Sequence, residues 1–349
     1  MQDIVSNPFR GLGLSGVGPF PQSDSTEMGL LLAQCPAHVP TSLVDLPDLA
    51  ERIGIGRLQV KDERARMGLG SFKALGAAYA IAREAAESVQ NSDWAEALAG
   101  RTFLAASAGN HGLSVAAGAR LFGAEAIVYL AETVPRAFGA RLREKGARVV
   151  WAGANYEDSM AAAQAAAAAG DGTLLSDSSW PGYVDLPLRV MEGYLQLATE
   201  AAAQLDAPPT HIVLQAGVGG LAAAVAAHAR VVWGDGPTII VVEPDAAPAL
   251  IESIRARQLV TTVGPVSSMG RLDCKTPSQI ALAGLARDAD FFMTISEDEA
   301  ARGVAALAEY GLATTPSGGA GVAALLAGWP MPGPDVRILA ILSEGAEDV

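Results

Sequence analysis

Short stretches rich in β-branched residues alternate along the chain with longer stretches rich in alanine. The strand-like stretches are Arg57–Lys61, Thr102–Ala105, Ala126–Leu130, Arg148–Trp151, His211–Gln215, Thr238–Glu243 and Val336–Leu342. Such alternation is typical of parallel strands joined by crossover helices. The run Ile239–Val242 is apolar at every position, which indicates a strand covered on both faces. The sequence therefore predicts an α/β fold.

Helices are predicted in the intervening stretches, several of which open with a capping signal. They are Lys73–Val89, Gly112–Phe122, Pro135–Lys145, Tyr156–Ala169, Pro187–Gln204, Gly219–Val232, Ala247–Arg257 and Glu297–Tyr310. Ser296, followed by Glu299, matches the capping box, in which each residue bonds the backbone of the other.

The length of 349 residues predicts two packed lobes around a shared cleft. Single hydrophobic cores stop growing at roughly 250–300 residues, so a longer chain usually divides. Breaks near Gly100 and Pro181 predict a discontinuous large domain, residues 1–100 and 181–349, and a small domain, residues 101–180.

Charge and composition argue against several classes of protein. The formal net charge is −14 and the 24 basic residues form no sustained run, which disfavours nucleic acid as a partner. Residues 1–18 lack the basic and apolar regions of a secretory signal, and no long apolar segment predicts a membrane span. We therefore expect a soluble, cytoplasmic protein.

Cysteine and histidine are too few and too scattered for a disulfide framework or a metal centre. Only Cys35 and Cys274 are present, and we interpret both as reduced thiols. The four histidines do not fall in a ligand pattern such as i, i+4 on one helix. No metal site is predicted.

Lysine is scarce, and one lysine stands in an unusual context. The chain has only Lys61, Lys73, Lys145 and Lys275, and Lys73 follows a glycine-rich turn where an apolar helix begins. Burial of its stem would desolvate the amine, which lowers the pKa of an amine toward values suited to Schiff-base formation. A surface lysine at a helix start is the alternative.

Two further turns follow predicted strands and precede predicted helices. In Gln215-Ala216-Gly217-Val218-Gly219-Gly220, glycine frees backbone amides that can bind a phosphate at a helix N-terminus. The segment is not a dinucleotide-binding G-x-G-x-x-G motif, because Ala222 and Ala223 follow instead of the third glycine at the required spacing. A glycine turn that serves only close packing is the remaining alternative. In Ser107-Ala108-Gly109-Asn110-His111-Gly112, hydroxyl, amide and backbone donors can hold a carboxylate and a ring oxygen.

Taken in this order, the three segments resemble the fold-type II pyridoxal-phosphate enzymes, the tryptophan synthase β-like group. The resemblance is strongest to the diaminopropionate ammonia-lyases. Other segments in family order are Pro40-Thr41-Ser42-Leu43, Val60-Lys61-Asp62-Glu63, Phe72-Lys73-Ala74-Leu75-Gly76, Ser176-Asp177-Ser178-Ser179-Trp180-Pro181-Gly182-Tyr183 and Ser343-Glu344-Gly345. The resemblance implies two three-layer αβα lobes, mainly parallel sheets, and a cofactor in the cleft between them.

The resemblance implies a set of cofactor-binding residues. Lys73 would hold pyridoxal 5'-phosphate as a Schiff base, beside Phe72, and Asn110 would contact the phenolic oxygen of the cofactor. The phosphate would be bound by Gly217, Val218, Gly219, Gly220 and Leu221. Ser343 would face the pyridine nitrogen, where a hydroxyl makes the ring a weaker electron sink than a carboxylate would and so favours elimination.

The resemblance also implies catalytic and substrate-binding residues. Asp177 matches an acidic catalytic position, so the base would be Lys73 after its release from the cofactor, or Asp177. A turn or capping role is the alternative for Asp177. The pocket for the substrate carboxylate would be lined by Ser107, Ala108, Gly109 and His111. The fold group commonly forms homodimers, and a homodimer is expected here.

The implied reaction is an α,β-elimination on a small β-substituted amino acid, with ammonia as the leaving group and a 2-keto acid as product. The same scaffold supports a dehydratase acting on threonine, serine or hydroxyaspartate, or a β-replacement enzyme. A cofactor-binding module without turnover and a nicotinamide oxidoreductase are alternatives from other classes.

The chain departs from the ammonia-lyase pattern at charged positions. Ala108 and Ala346 stand where the family has aspartates, and Arg271 and Lys275 are added in the segment Met269–Pro277. If these residues line the pocket, the local charge becomes more positive, which disfavours a second ammonium and favours a second carboxylate. D-2,3-diaminopropionate is then predicted to be a poor substrate and an acidic amino acid such as hydroxyaspartate a better one. If Arg271 and Lys275 face solvent, this argument fails.

Overall fold

A computed structural model of the chain describes residues 3–35, 37–89, 93–328 and 333–346. Its strands are β1 (Ile4–Ser6), β2 (Leu43–Asp45), β3 (Arg57–Asp62), β4 (Thr102–Ala106), β5 (Glu125–Leu130), β6 (Arg148–Trp151), β7 (Thr173–Leu174), β8 (His211–Gln215), β9 (Thr238–Pro244), β10 (Phe291–Ile295) and β11 (Arg337–Leu342).

The α-helices alternate with these strands through most of the chain. They are α1 (Thr26–Leu32), α2 (Pro47–Arg52), α3 (Lys73–Ser88), α4 (Asn110–Leu121), α5 (Arg136–Glu144), α6 (Tyr156–Ala168), α7 (Asp185–Gln204), α8 (Gly220–Trp233), α9 (Ala249–Ala256), α10 (Gln279–Asp288), α11 (Glu297–Glu309) and α12 (Ala320–Leu326). Short 3₁₀ helices cover Glu63–Gly68 and Trp94–Glu96.

The described strands form two sheets. The larger has seven strands in the order β1-β10-β9-β8-β11-β3-β2, parallel throughout except for β1 and β2, which pair antiparallel at its two edges. The smaller has four parallel strands in the order β6-β5-β4-β7. The predicted α/β class with mainly parallel sheets is confirmed.

The smaller sheet is built from residues 102–174, which lie inside the predicted small domain. The domain boundaries themselves stay a prediction, and residues 1–2 and 347–349 at the ends of the predicted large domain lie outside the described residues.

Every strand and helix predicted from the sequence is present, with ends within two residues of the predicted ones. The capping box is confirmed: the Ser296 hydroxyl accepts from the Glu299 amide at 3.3 Å, and the Glu299 carboxylate accepts from the Ser296 amide at 2.8 Å. The sequence did not predict β1, β2, β7, β10, α1, α2, α10 or α12, most of which are too short for a periodic pattern.

The central strands are buried on both faces, as their continuous apolar runs predicted. Ile212, Val213 and Leu214 of β8 are fully buried, and so are all four residues of Ile239–Val242 in β9. Helices pack closely around this sheet because small residues face their neighbours. A Cβ on Gly76 of α3 would lie 2.5 Å from the ring of Tyr194 in α7, so only glycine admits that ring.

Three features of composition can be compared with the structure within the described ranges. Cys35 and Cys274 are both free thiols. No group of three or more histidine, cysteine or carboxylate side chains is arranged to hold a metal ion. No helix combines the length and apolar character that a membrane crossing requires.

A cluster of opposite charges is buried beside the segment that leads to Lys73. The Lys61 amine donates to Glu200 at 2.7 Å, and Arg66 bonds both Glu63 and Glu200. Lys61, Glu63 and Arg66 are completely buried. The Thr41 hydroxyl donates to Glu63 at 2.6 Å, which adds a fourth segment to the cluster. Two cations and two carboxylates therefore balance one another out of contact with water.

The charge cluster fixes the start of an irregular turn. Arg66 precedes Met67, whose φ of +51° is in the left-handed region that non-glycine residues rarely adopt. Gly68 and Gly70 follow with φ of +66° and +82°, and α3 begins at Lys73. The buried bonds from Arg66 to Glu63 and Glu200 thus stabilise the turn at Met67, whose left-handed backbone conformation is unfavourable for methionine.

Replacing Glu200 by glutamine should lower the free energy of unfolding by about 3–5 kcal/mol at pH 7, because it leaves buried cations without their carboxylate. Burial alone would raise the pKa of Glu200, but Arg66 and Lys61 hold it at about 2, below its ordinary value of 4.5. The stabilisation is therefore complete above pH 4.5 and disappears as the pH falls through about 2.

Urea unfolding of the cofactor-free protein at pH 7 and pH 3 measures this effect. Glu132→Gln is the matched control, since Glu132 pairs with Arg136 on the surface and should cost less than about 1 kcal/mol. Equal losses in the two variants would contradict the stabilising role of the cluster.

Candidate functional site

The turn that carries Lys73 is bonded to the end of the central strand β11. The Phe72 amide donates to the Ser343 carbonyl at 3.0 Å, and the Gly345 amide donates to the Gly70 carbonyl at 3.0 Å. These bonds hold the first residue of α3 beside the carboxyl end of the sheet. In open α/β sheets, ligands bind in the crevice at this end.

The Lys73 amine forms an ion pair with the Asp177 carboxylate. The two side chains are 22% and 20% exposed, so the pair lies in a cleft and is open to small molecules. The Lys73 nitrogen also lies 5.2 Å from the ring centroid of Phe72 and 5.7 Å from that of Tyr194. The amine is therefore enclosed by one carboxylate and two aromatic rings.

The predicted lowering of the pKa of Lys73 is wrong for the free protein. Burial does lower the pKa of this amine, but the adjacent charge of Asp177 outweighs burial and raises it above its ordinary value. Burial would likewise raise the pKa of Asp177, and Lys73 and His111 lower it well below its ordinary value. The sequence identified the buried stem but could not show that a carboxylate more than 100 residues away is its partner.

Asp177 is positioned by the segment that follows β7. The Ser176 amide donates to the Tyr183 hydroxyl at 3.0 Å, and the Leu175 carbonyl lies 2.8 Å from Nε2 of His111. Because a carbonyl only accepts, Nε2 of His111 carries the proton. Burial lowers the pKa of His111, which favours this neutral form.

His111 is thus buried beneath its turn, and its Nε2 bonds the backbone beside Asp177. The other residues of that turn stay near the surface of the cleft. The Ser107 hydroxyl accepts from the Gly109 amide at 3.3 Å, and Ala108 is exposed. The guanidinium of Arg271 covers Gly109, with Nε 3.5 Å from where a Cβ would lie. The structure therefore brings Arg271 to the turn predicted to bind the substrate carboxylate.

Glu344 is a buried carboxylate at the site that the sequence did not single out. It accepts from the amide group of Asn110 and from the hydroxyl of Thr315, and Nε of Arg271 lies 3.4 Å from it. Asn110 opens α4 beside the small sheet, whereas Glu344 follows β11 of the large sheet. One carboxylate thus joins the two halves of the cleft.

Tyr194 and Cys274 are two more neighbours of Lys73 without a predicted role. Burial raises the pKa of Tyr194 and the pKa of Cys274, each to about 12. Both groups therefore stay protonated at neutral pH. Packing in the folded state, which local sequence does not report, brings them to Lys73.

The glycine loop after β8 ends in a helix N-terminus with no side-chain cap. Gly219 has a φ of +95°, and no side chain caps the amides that begin α8 at Gly220. A Cβ on Gly217 would lie 3.0 Å from Sγ of Cys274, so this position also requires glycine. Gly217, Gly219, Gly220 and Leu221 are buried and Val218 is half-buried. Uncapped amides at the N-terminus of a long helix are donors that suit a phosphate.

Ser343 and Lys275 have different positions relative to the cleft. Ser343 follows β11, and within the described ranges its hydroxyl has no hydrogen-bond partner, which leaves it available to a ligand. The Lys275 amine instead donates to the carbonyls of Ala246 and Pro265 at 2.8 Å each and to Asp273 at 2.6 Å.

The expectation that Lys275 adds positive charge to the pocket therefore fails. Its amine is used in fixing its own loop, and Asp273 neutralises its charge. Of the two cations singled out in this segment, only Arg271 reaches the predicted substrate turn.

The residues of the cleft fit pyridoxal phosphate. A phosphate ester with an aldehyde group needs a ring of backbone donors and an amine within one cavity. Cys274 touches the glycine loop at Gly217 and interacts electrostatically with Lys73, so loop and amine belong to the same cleft. The flanking rings of Phe72 and Tyr194 and the open hydroxyl of Ser343 suit a planar heteroaromatic ring.

Comparisons with known proteins agree with this fit. Residues 35–344 match the family described as pyridoxal-phosphate dependent enzyme. The chain is 33% identical over 289 residues to a diaminopropionate ammonia-lyase of Salmonella typhimurium, across 77% of this chain and 72% of that protein. It is 30% identical over 318 residues to the Escherichia coli enzyme of the same name, across 87% and 79%.

Solved structures give the same result at the level of the fold. The Escherichia coli diaminopropionate ammonia-lyase in complex with D-serine superposes with a TM-score of 0.88 at 29% identity, over 99% of this chain and 94% of that one. A structure of that enzyme with an aminoacrylate-pyridoxal-phosphate azomethine reaction intermediate gives a TM-score of 0.87 over the same shares.

Replacing Asp177 by asparagine should make Lys73 more reactive in the cofactor-free protein. Without the carboxylate, burial dominates and lowers the pKa of the amine, so more of it is unprotonated at pH 8. The rate of acetylation of Lys73 by acetic anhydride, followed by peptide mass spectrometry, should rise roughly tenfold. Lys145 in the same digest is the internal reference, and an unchanged ratio of the two rates would refute the control of Lys73 by Asp177.

Proposed function

This chain belongs to the pyridoxal-phosphate-dependent enzymes, and from that premise we propose that it catalyses an α,β-elimination on a small β-substituted amino acid. The reaction is of the diaminopropionate ammonia-lyase type and yields a 2-keto acid and ammonia. The observation that carries the proposal is the pairing of the Lys73 amine with the Asp177 carboxylate in one cleft with an uncapped phosphate-binding loop.

Lys73 and the glycine loop hold the cofactor in this proposal. The amides of Gly219, Gly220 and Leu221 would hold the phosphate, the Lys73 amine would hold the aldehyde group, and the Ser343 hydroxyl would be available to the ring nitrogen. When bound, pyridoxal phosphate draws electron density from the α-carbon of the substrate and so makes its proton acidic. The Asn110 amide keeps one N–H for the ring oxygen while the other bonds Glu344.

Asp177 and Lys73 move the protons of the reaction. The ion pair at rest keeps the carboxylate ionised and therefore able to accept a proton. The Lys73 amine would take the α-proton or protonate the leaving group. The turn from Ser107 to Gly109 orients the α-carboxylate, and this fixes the α-carbon beside both groups.

The products follow from the bonds that break. The α-proton and the β-substituent leave as a proton and ammonia, and the resulting enamine reacts with water to give the 2-keto acid and a second ammonia. From 2,3-diaminopropionate and one water, the products are pyruvate and two ammonia molecules. No oxidant or reductant is consumed.

The proposal extends to assembly and location. We infer a homodimer from the resemblance to the fold group, and exposed apolar side chains such as Leu12 and Leu30, 84% and 68% exposed, are available for such contacts. Two free thiols are consistent with a reducing, cytoplasmic environment. Sedimentation velocity on the purified holoenzyme tests the dimer directly.

Reduction of the holoenzyme with borohydride should attach a pyridoxyl group to Lys73, because reduction makes a Schiff base permanent. Peptide mass spectrometry locates the group. In Lys73→Ala the label should vanish and kcat should fall by about 10²–10⁴-fold, whereas Lys145→Ala should keep the label on Lys73. A label on any other lysine, or none on the coloured holoenzyme, would overturn the assignment.

The enzyme should prefer an L-substrate, because Ala108 supplies no group that accepts a proton where the ammonia-lyase family has an aspartate. With L-2,3-diaminopropionate or L-serine, pyruvate formation should exceed that from the D-isomer by at least about tenfold in kcat/KM. Ala108→Asp is expected to raise turnover of the D-isomer specifically. Equal rates for the two isomers in the unaltered protein would contradict this role of Ala108.

A further inference from the structure

A cavity of about 400 Å³ opens beside the Lys73 cleft, between the two halves of the molecule. Gly70 and Glu344 line it from one half, and Asn110 lines it from the other, so it adjoins the site already described. Its remaining charged lining comes from Arg64, Arg141, Glu144, Lys145 and Arg271.

The cavity is positive in a protein that is strongly negative as a whole. Among the described residues, its lining has four basic side chains and two acidic ones, although the chain carries a net charge of −14. Arg64 is neutralised by Asp62 at 2.8 Å. Arg141 and Lys145, at the end of α5, form no ion pair with any described carboxylate. This local field attracts anions.

Arg271 connects the cavity to the predicted substrate turn. Its backbone is fixed, since its amide donates to the Ser317 hydroxyl at 3.0 Å and its carbonyl packs against Gly217. Its side chain lies over Gly109 and remains 32% exposed. A guanidinium held at this point can bind a carboxylate through two parallel hydrogen bonds.

We infer that the natural substrate carries a second anionic group, a carboxylate on the β-carbon, which Arg271 binds while Arg141 and Lys145 attract it into the cleft. This inference rests on the proposed elimination and names its substrate class: β-substituted dicarboxylic amino acids, such as 3-hydroxyaspartate. Lys275 has no part in it, because its amine is used within its own loop.

Glu344 makes the exchange of partners feasible. In the absence of substrate it balances Arg271 at 3.4 Å, a distance longer than a close ion pair. When Arg271 turns toward a substrate carboxylate, the Glu344 carboxylate keeps the hydrogen bonds from Asn110 and Thr315. Its charge therefore remains stabilised without Arg271. The substrate carboxylate then joins a site in which both charges are satisfied.

The chemistry of such a substrate balances without further reactants. Elimination from 3-hydroxyaspartate removes the α-proton and the β-hydroxyl as water. Water then converts the enamine into oxaloacetate and ammonia, so one 3-hydroxyaspartate gives one of each product. Serine gives pyruvate and ammonia by the same steps and differs only in lacking the β-carboxylate, which makes it the matched substrate.

Binding is measured first, on the holoenzyme, with amino acids that have no leaving group. L-Aspartate and L-alanine differ only by a β-carboxylate, and each is titrated against the absorbance of the bound cofactor. The expected Kd of L-aspartate is at least about tenfold lower. That advantage should shrink as salt rises from 0.1 M to 1 M, because the screening length falls from about 10 Å to about 3 Å. Equal or weaker binding of L-aspartate would overturn the inference.

Variants assign the effect to named side chains. Arg271→Gln should remove the advantage of L-aspartate, so that the ratio of the Kd of L-alanine to the Kd of L-aspartate falls to about one. Arg141→Gln, on the exposed helix α5, should weaken L-aspartate about twofold to threefold and serves if Arg271→Gln does not fold. Arg143→Gln is the matched control, since this residue is on the same helix but lies beside Gly139 and outside the cavity lining. If Arg143→Gln weakened the binding of L-aspartate as much as Arg141→Gln does, the effect would come from the net charge of the protein alone, and the proposed anion site would be refuted.

Turnover separates this inference from the function on which it rests. Coupled assays measure oxaloacetate from 3-hydroxyaspartate and pyruvate from serine and 2,3-diaminopropionate. A higher kcat/KM for 3-hydroxyaspartate supports both proposals. Pyruvate formation without oxaloacetate formation refutes the second anionic group and leaves the elimination standing. Tight binding of L-aspartate with no elimination from any of the three substrates refutes the elimination and keeps the anion site.

Discussion

The backbone hydrogen bonds between the Lys73 turn and the end of β11 determine where all other parts of the site lie. β11 pairs with β8 on one side and β3 on the other, so it is an interior strand of the large sheet. The strand ends at Leu342, and Ser343 and Glu344 follow it beside the turn that carries the reactive amine. A rigid central strand thereby fixes amine, hydroxyl and carboxylate relative to one another without a loop that must be ordered on binding.

The sequence revealed what depends on neighbouring residues and missed what depends on distant ones. The longer strands and most of the longer helices, the glycine loop after β8 and the start of a helix at Lys73 each have a local signature, and the sequence predicted their positions. Asp177 is 104 positions from Lys73 along the chain, and this separation is why the direction of the pKa change at Lys73 was predicted wrongly. Glu344 was missed for the same reason, since its partner Asn110 is 234 positions away. For Lys275, the bond to the Ala246 carbonyl 29 positions away appears only in the folded chain.

Several buried and half-buried charged side chains in the described part of the chain occur in matched sets. Lys73 faces Asp177, Arg271 faces Glu344, and Lys61 and Arg66 face Glu63 and Glu200. Interior pairs of this kind hold side chains in a single geometry at a cost in desolvation. The pairs Lys73–Asp177, Arg271–Glu344 and Arg66–Glu200 join segments far apart in sequence, whereas Arg66 and Glu63 are three residues apart.

The two outermost strands of the large sheet limit how copies of the chain can associate. β1 and β2 are three residues each and run against the direction of the strands they cover. Short outer strands offer few free backbone groups, so a neighbouring molecule cannot continue the sheet by adding a strand of its own. The short edges therefore guard the large sheet against the edge-to-edge growth that leads to fibrils.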